Sequence, residues 1–337
     1  MNGISNMEQG DLQPSKALLG ENMNSGKQTQ LLNEIITRLY TRIYNKLRAY
    51  NTFIFLCGSG EKDSTRNLLR VELEKRFYFV FYPEDLFMDM IAMNKNYDLL
   101  SFEELLADES DKIIVVCESI GSAAEMGAFV QNESTQKKLI ICSDKDYKKK
   151  KSFINIGPIK YHELLKGSRY WFDKKDVISL ANDIDHELKL EIRRKILHEP
   201  KKLPEIDLVE QKPEITVNDE LRMKDIITFL PIIIWFFEMI ERQEVYTALY
   251  ELFIKNSKNK EEQKFKIRFN ASINFLVKQR LIEIEYGDQK YNDKLRLSQE
   301  GIKAVKRILT GPDLEGNAIL IDQIRCDIIN LSLYGNL

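Results

Sequence analysis

Five short apolar runs constrain the fold of this chain more than any other feature. They are FIFLC (Phe53–Cys57), FYFVFY (Phe77–Tyr82), IIVVC (Ile113–Cys117), KLIIC (Lys138–Cys142) and SRYWF (Ser168–Phe172). Each has strand length. The segments between them carry helical patterns: Ser64–Lys75, Glu84–Met93, a helix opened by Ser101-Phe102-Glu103-Glu104, and Ala123–Gln131. A long charged helix runs on to about His198. Apolar strands without alternation are buried on both faces, and helices between them imply right-handed βαβ crossovers. The expectation is an α/β fold with a parallel sheet. A further helix, rich in Leu, Ile and Tyr, is expected from Leu31 to Tyr50.

In such sheets ligands sit beyond the carboxyl ends of the strands. Here the loops at those ends are Cys57–Gly60, Tyr82–Asp85, Glu118–Glu125 and Ser143–Lys151. All four carry carboxylates or glycines, and that convergence says more than any single motif.

A hydrophobic content of 43% supports real cores and excludes a disordered chain. With 50 Lys and Arg against 52 Asp and Glu, the net charge of -2 favours no class of partner. The four cysteines are far apart in sequence. Cys57, Cys117 and Cys142 each end an apolar run, as buried reduced thiols in a cytoplasmic protein do. With three histidines, His162, His186 and His198, neither a His-rich zinc site nor a Ser-His-Asp triad has obvious material, and no metal is expected. Residues 1–30 are polar and read as a disordered tail without a signal peptide. The oiliest stretch, Ile226–Ile240, holds Pro231 and Glu238 and is too short to span a bilayer, so it is expected as a buried helix and no membrane partner follows.

Residues 199–220 hold three prolines and many charges and read as a linker. Beyond it helical patterns cover 221–241, 244–255 and 262–280. A strand–turn–strand follows, then a helix in QEGIKAVKRIL. That order suggests a smaller winged-helix-like α+β domain over 221–337. Between Leu221 and Thr310 there are 17 Lys and Arg against 12 Asp and Glu, a mild local +5.

The candidate chemistry lies in the loops, and each residue has a plain structural alternative. Ser122-Ala123-Ala124-Glu125 fits a capping box, and spacing alone favours that role for Glu125. The sharper reading makes Glu125 a nucleophile one turn into a helix, with Gly121 allowing close approach of backbone to a ligand. Glu118 ends a strand, and Glu84 and Asp85 follow one. Taken singly, these three read as solvated or helix-start acids. Cys57-Gly58-Ser59-Gly60 lacks both the dinucleotide fingerprint and the Walker lysine. The four lysines of YKKKKSFINIGP read first as a solvated loop.

Taken together, FIFLCGSG, FYPEDLF, ESIGSAAEMGAFVQNES and KSFINIGPI resemble the retron-encoded effectors with a nucleoside deoxyribosyltransferase-like domain, the St85-type family of bacterial anti-phage toxins. The resemblance covers about residues 50–170, and it implies a flavodoxin/Rossmann-like catalytic domain over 31–198. The transferases place a nucleophilic glutamate in G-T/S-x-x-E-x-G, which here is Gly121 to Gly127, so Glu125 inherits that role. Where they commonly carry an aspartate two residues before the glycine, this chain has Ser119, with Glu118 one residue earlier. The resemblance further implies substrate contacts from Cys57, Gly58, Ser59, Tyr82, Glu84, Asp85, Glu118, Ser119, Gly121 and Ser122. The implied reaction cleaves the N-glycosidic bond of NAD, which enters as substrate, so no cofactor is expected. Nucleosides, nucleotides or DNA bases are the alternative substrates, and a non-catalytic DNA-binding regulator is a third reading. The implied partners are the retron reverse transcriptase and its RNA–DNA hybrid, msDNA, which hold the toxin in check. Transferase relatives complete their sites across subunits, so a homo-oligomer or larger complex is expected.

Overall fold

The computed structural model describes residues 25–47, 52–76, 78–82, 107, 109–198, 221–254, 262–287, 293–309 and 317–334. In chain order the longer helices among the described residues are α1 (Ser25–Leu39), α2 (Thr65–Glu74), α3 (Ile120–Gln131), α4 (Val177–His198), α5 (Met223–Phe237), α6 (Arg242–Phe253), α7 (Glu262–Lys278), α8 (Gln299–Leu309) and α9 (Asn317–Tyr334). The strands are β1 (Phe53–Cys57), β2 (Phe79–Phe81), β3 (Lys112–Cys117), β4 (Leu139–Asp144), β5 (Ser168–Phe172), β6 (Met239–Glu241), β7 (Ile282–Glu285) and β8 (Lys294–Leu297).

All five apolar runs are strands of one parallel sheet, in the order β2-β1-β3-β4-β5. The side chains of β1 are buried on both faces. One face packs Ile54, Leu56, Ile114, Val116, Ile140 and Cys142 against α2 and α4, through Leu69, Leu73, Leu180 and Ile184. The opposite face stacks Phe53 on Phe79 and Phe55 on Phe81, and Phe129 of α3 meets Phe55 edge-on at 6.0 Å. The order is that of flavodoxin-like sheets, with the reversal in strand order between β1 and β3.

The chain divides into two compact units, and the division is interleaved. One, the α/β unit, holds Ile43–Phe229 and Glu261–Gln279. The other holds Met1–Arg42, Leu230–Lys260 and Arg280–Leu337. Residues 221–229 and all of α7 therefore count with the sheet, whereas the sequence places them in the second domain. Buried polar contacts within the α/β unit account for this. Arg268 pairs with Glu109 at 2.6 Å, and Lys224 pairs with Asp111 at 2.8 Å. The Met223 N–H donates to Glu109 at 2.7 Å, and the Tyr44 hydroxyl donates to Asp225 at 2.8 Å. Desolvation pushes the Glu109 carboxyl up, against the pull of Arg268, and pushes the Lys224 ammonium down.

In the second unit, β6, β8 and β7 form a small antiparallel sheet. Asn33 of α1 donates to Glu251 of α6 at 2.7 Å, and Tyr40 meets Phe253 edge-on. Ser298 accepts from the Gly301 N–H and starts α8, and at Gly301 a Cβ would lie 1.9 Å from the Leu281 carbonyl oxygen.

Some expectations change. α1 begins at Ser25, within the stretch expected as a tail over 1–30, and residues 1–24 lie outside the described residues. The Leu31–Tyr50 helix gives way to a π-helical turn over Tyr40–Tyr44. Among the described residues, α9, the short helices Glu133–Gln136 and Lys160–Leu164, and a short strand, β6, at the end of the oily stretch were not signalled by the sequence. Residues 199–220, read as a linker, lie outside the described residues. Of the oily stretch, Ile226, Ile227, Phe229, Leu230 and Ile232–Ile234 are buried in α5. Among the described residues no helix is long and apolar enough to cross a membrane.

Candidate active site

The carboxyl ends of β1 and β3 flank the reversal in strand order, and the candidate residues gather there. Cys57, Gly58 and Ser59 follow β1. Glu118, Ser119, Gly121, Ser122 and Glu125 follow β3, and Tyr82 follows β2. Glu84 and Asp85 lie outside the described residues.

Glu118 joins the first two loops. Its Oε1 accepts from the Ser59 N–H at 3.3 Å and the Arg66 N–H at 3.1 Å, and its Oε2 accepts from the Thr65 N–H at 3.0 Å. Thr65 and Arg66 open α2. The positive end of that helix, a common anion site, is thus held by a carboxylate of the chain itself. Ser64 caps the same helix by accepting from the Asn67 N–H. Gly58 is required here, because a Cβ would lie 2.8 Å from the Cβ of Arg66.

The start of α3 differs from the capping box read in the sequence. The cap is Ser119, not Ser122, and the helix begins at Ile120. Ser119 Oγ accepts from the Ser122 N–H at 3.1 Å, and Ser122 Oγ accepts from the Ser119 N–H at 3.0 Å. Both spacings, Ser119-x-x-Ser122 and Ser122-x-x-Glu125, put a hydroxyl three residues before a polar side chain. Local sequence does not choose between them. With Ser119 and Ser122 as the box, Glu125 stands a turn beyond it and is released from capping. Glu125 lies on the stripe of α3 that carries Ser122 and Phe129, the residues three before and four after it. It is half-buried, and its Oε2 is shut off from solvent. Gly121 is exposed, and a Cβ there would meet only Ser119 Oγ, at 3.8 Å, so the backbone of the first turn is open to approach.

Tyr82 belongs to a cluster the sequence reading missed. Its hydroxyl donates to Asn67 Oδ1 at 2.8 Å, and the guanidiniums of Arg66 and Arg70 lie 4.1 and 4.4 Å from its ring centroid. The available signal was the Arg66-x-x-x-Arg70 spacing, which puts both on one face of α2. Cys57 is buried and Cys117 half-buried. Burial, then the neighbouring Glu118 carboxylate, pushes the Cys117 thiol up and leaves it a poor nucleophile.

Residues 62–284 match the family described as STM3845 retron effector protein. A stretch of 162 residues is 38% identical to the Escherichia coli protein named "Retron Ec86 putative ribosyltransferase/DNA-binding protein", and covers 44% of this chain and 50% of that one. A stretch of 116 residues is 35% identical to the Escherichia coli "Retron Ec73 putative ribosyltransferase/DNA-binding protein", and covers 32% of this chain and 37% of that one. The matches span half or less of these curated relatives. The family match takes in more than half of the chain, with β2 to β5 of the sheet and α3 included, and the chain belongs to the STM3845 retron effector family.

Proposed function

We propose that this chain is the effector toxin of a retron anti-phage system, and that it cleaves the nicotinamide–ribose bond of NAD with Glu125 as nucleophile. One observation carries the mechanism: Ser119 and Ser122 cap α3, which leaves Glu125 on the sheet-facing stripe beside the loops that follow β1 and β3. The retron family and the ribosyltransferase names of two relatives support glycosyl transfer.

In this reading the Glu125 carboxylate attacks C1′ of the nicotinamide ribose. The C–N bond breaks, and its electron pair neutralises the pyridinium, so nicotinamide leaves without a general acid. Water then hydrolyses the glycosyl ester to ADP-ribose and a proton and restores the carboxylate. Glu118 acts on the loops: it holds Ser59 and the start of α2 in place. The reverse transcriptase and msDNA restrain the toxin. The winged-helix reading of the second unit, with the DNA-binding names of the relatives, makes that unit a candidate for contact with msDNA, and the assembly is a homo-oligomer or larger complex.

The test incubates purified protein with NAD and follows nicotinamide by chromatography. Release is expected from wild type and is expected to fall at least about a thousandfold in Glu125→Gln, as for loss of a nucleophile. The thermal midpoint should stay near wild type, because the cap of α3 is made by Ser119 and Ser122. A Glu125→Gln protein that releases nicotinamide at the wild-type rate would sink the assignment. If neither releases it, the same assay on the complex with reverse transcriptase and msDNA decides between a requirement for those partners and a different substrate.

A further inference from the structure

We propose that Ser143 and Trp171 form a two-donor subsite for the carbonyl oxygen of the base that leaves the sugar. The proposal rests on the glycosidase reading for the identity of the ligand, and on the sheet for its place.

Ser143 Oγ and Trp171 Nε1 are both shut off from solvent, and neither meets a hydrogen-bond partner among the described residues. Ser143 is only 4% exposed. Buried polar atoms without partners are rare because they are costly, and each calls for an explanation. Two of them stand side by side here: Ser143 and Trp171 are direct partners in the β4–β5 register, each one residue from the carboxyl end of its strand.

They share a face, and it is the face of Glu125. Cys142, Tyr170 and Phe172 point toward the α4 side of the sheet, so their neighbours Ser143 and Trp171 point to the other. The Phe55–Phe129 contact places α3 on that other face. Glu125 lies on the same stripe of α3 as Phe129. The indole is held from one side by Arg169, whose guanidinium lies 4.9 Å from the ring while it pairs with Glu163 at 2.5 Å.

The chemistry of the pair narrows the ligand. An indole N–H can only donate, and a serine hydroxyl can donate or accept. Two adjacent donors fit one oxygen with two lone pairs. A carboxamide or lactam carbonyl meets that need, as in nicotinamide or hypoxanthine, and adenine does not. As the C–N bond breaks, its electron pair moves into the base, the conjugated carbonyl becomes a better acceptor, and both hydrogen bonds strengthen.

The experiment titrates full-length Glu125→Gln protein with nicotinamide and hypoxanthine, and with 3-methylpyridine and adenine as carbonyl-free controls, by calorimetry. A carbonyl base should bind. Adding Trp171→Phe or Ser143→Ala should weaken it about five- to tenfold, as for loss of one hydrogen bond, and leave the controls unchanged. Ser143→Ala should also keep or raise the thermal midpoint, because it removes a partnerless atom, whereas a structural role for that hydroxyl would lower it. The proposal is overturned if no carbonyl base binds, or if both variants keep the affinity. NAD cleavage is scored separately on proteins that retain Glu125. Base binding that depends on Trp171, without nicotinamide release from either the protein alone or its complex with reverse transcriptase and msDNA, would refute the NAD reading and keep the subsite. Nicotinamide release with a KM and base affinity indifferent to both substitutions would do the reverse.

Discussion

Glu118 and Glu125 are close in sequence, and their carboxylates have different surroundings. Glu118 accepts three backbone N–H groups, from Ser59, Thr65 and Arg66, so it belongs to the architecture of the loops. Glu118→Ala is expected to cost about 3 kcal/mol, read as a lower denaturant midpoint, because it strips a charged partner from three part-buried donors. His162 makes a second point about burial. It is fully buried, with Nε2 3.1 Å from the Ser168 carbonyl oxygen, and desolvation pushes its imidazole below the ordinary value of 6.5. Above 6.5 both folded and unfolded chains hold it neutral, and its contribution is fully present. As pH falls below 6.5 the unfolded chain takes up a proton that the folded chain refuses, and that stability is lost down to the lowered folded pKa. Chemical denaturation at about pH 8 and about pH 5.5 should show the loss in wild type, and His162→Gln should show a flatter pH dependence.

At the level of the secondary-structure elements, packing punishes small changes where backbones approach closely. The start of α8 lies against the end of the turn before β7, and a Cβ at Gly301 would meet the Leu281 carbonyl oxygen at 1.9 Å. Backbone cannot rotate away as a flexible side chain can. Gly301→Ala is expected to lower stability by about 3 kcal/mol, measured as a drop in thermal midpoint. The strand positions themselves were largely legible. Phe53–Cys57 and Ser168–Phe172 are read correctly to the residue, and the other three runs to within about two, because an apolar run between helical patterns is a local signal. The start of α3 was not legible. Two overlapping boxes offer the same hydroxyl spacing, and the choice between them falls to how β3 delivers the chain to the helix.

For the molecule as a whole, the interleaving of the two units governs what can be cut away. Glu109 and Asp111 find their cations on Arg268 and Lys224, far along the chain. A chain ending at residue 198, the boundary expected from the linker-like segment, would keep the full parallel sheet and lose both partners. Breaking a buried pair by removing one member costs about 3–5 kcal/mol. Residues 1–198 alone are therefore expected to show poor thermal stability and rapid proteolysis. A truncated chain that melts like the full one would refute the structural role of these pairs. The amino-acid order sets the parallel sheet, its strands and the glutamate-bearing turn after β3, because hydrophobic period and turn chemistry act over a few residues. The tertiary structure alone decides the rest. It gives Glu118 to the backbone of a distant loop, releases Glu125 from the cap, gathers α7 to the sheet, and seals Ser143 beside Trp171. Those outcomes depend on desolvation, on partner choice between packed segments and on how a strand delivers the chain to its helix, and no local pattern encodes them.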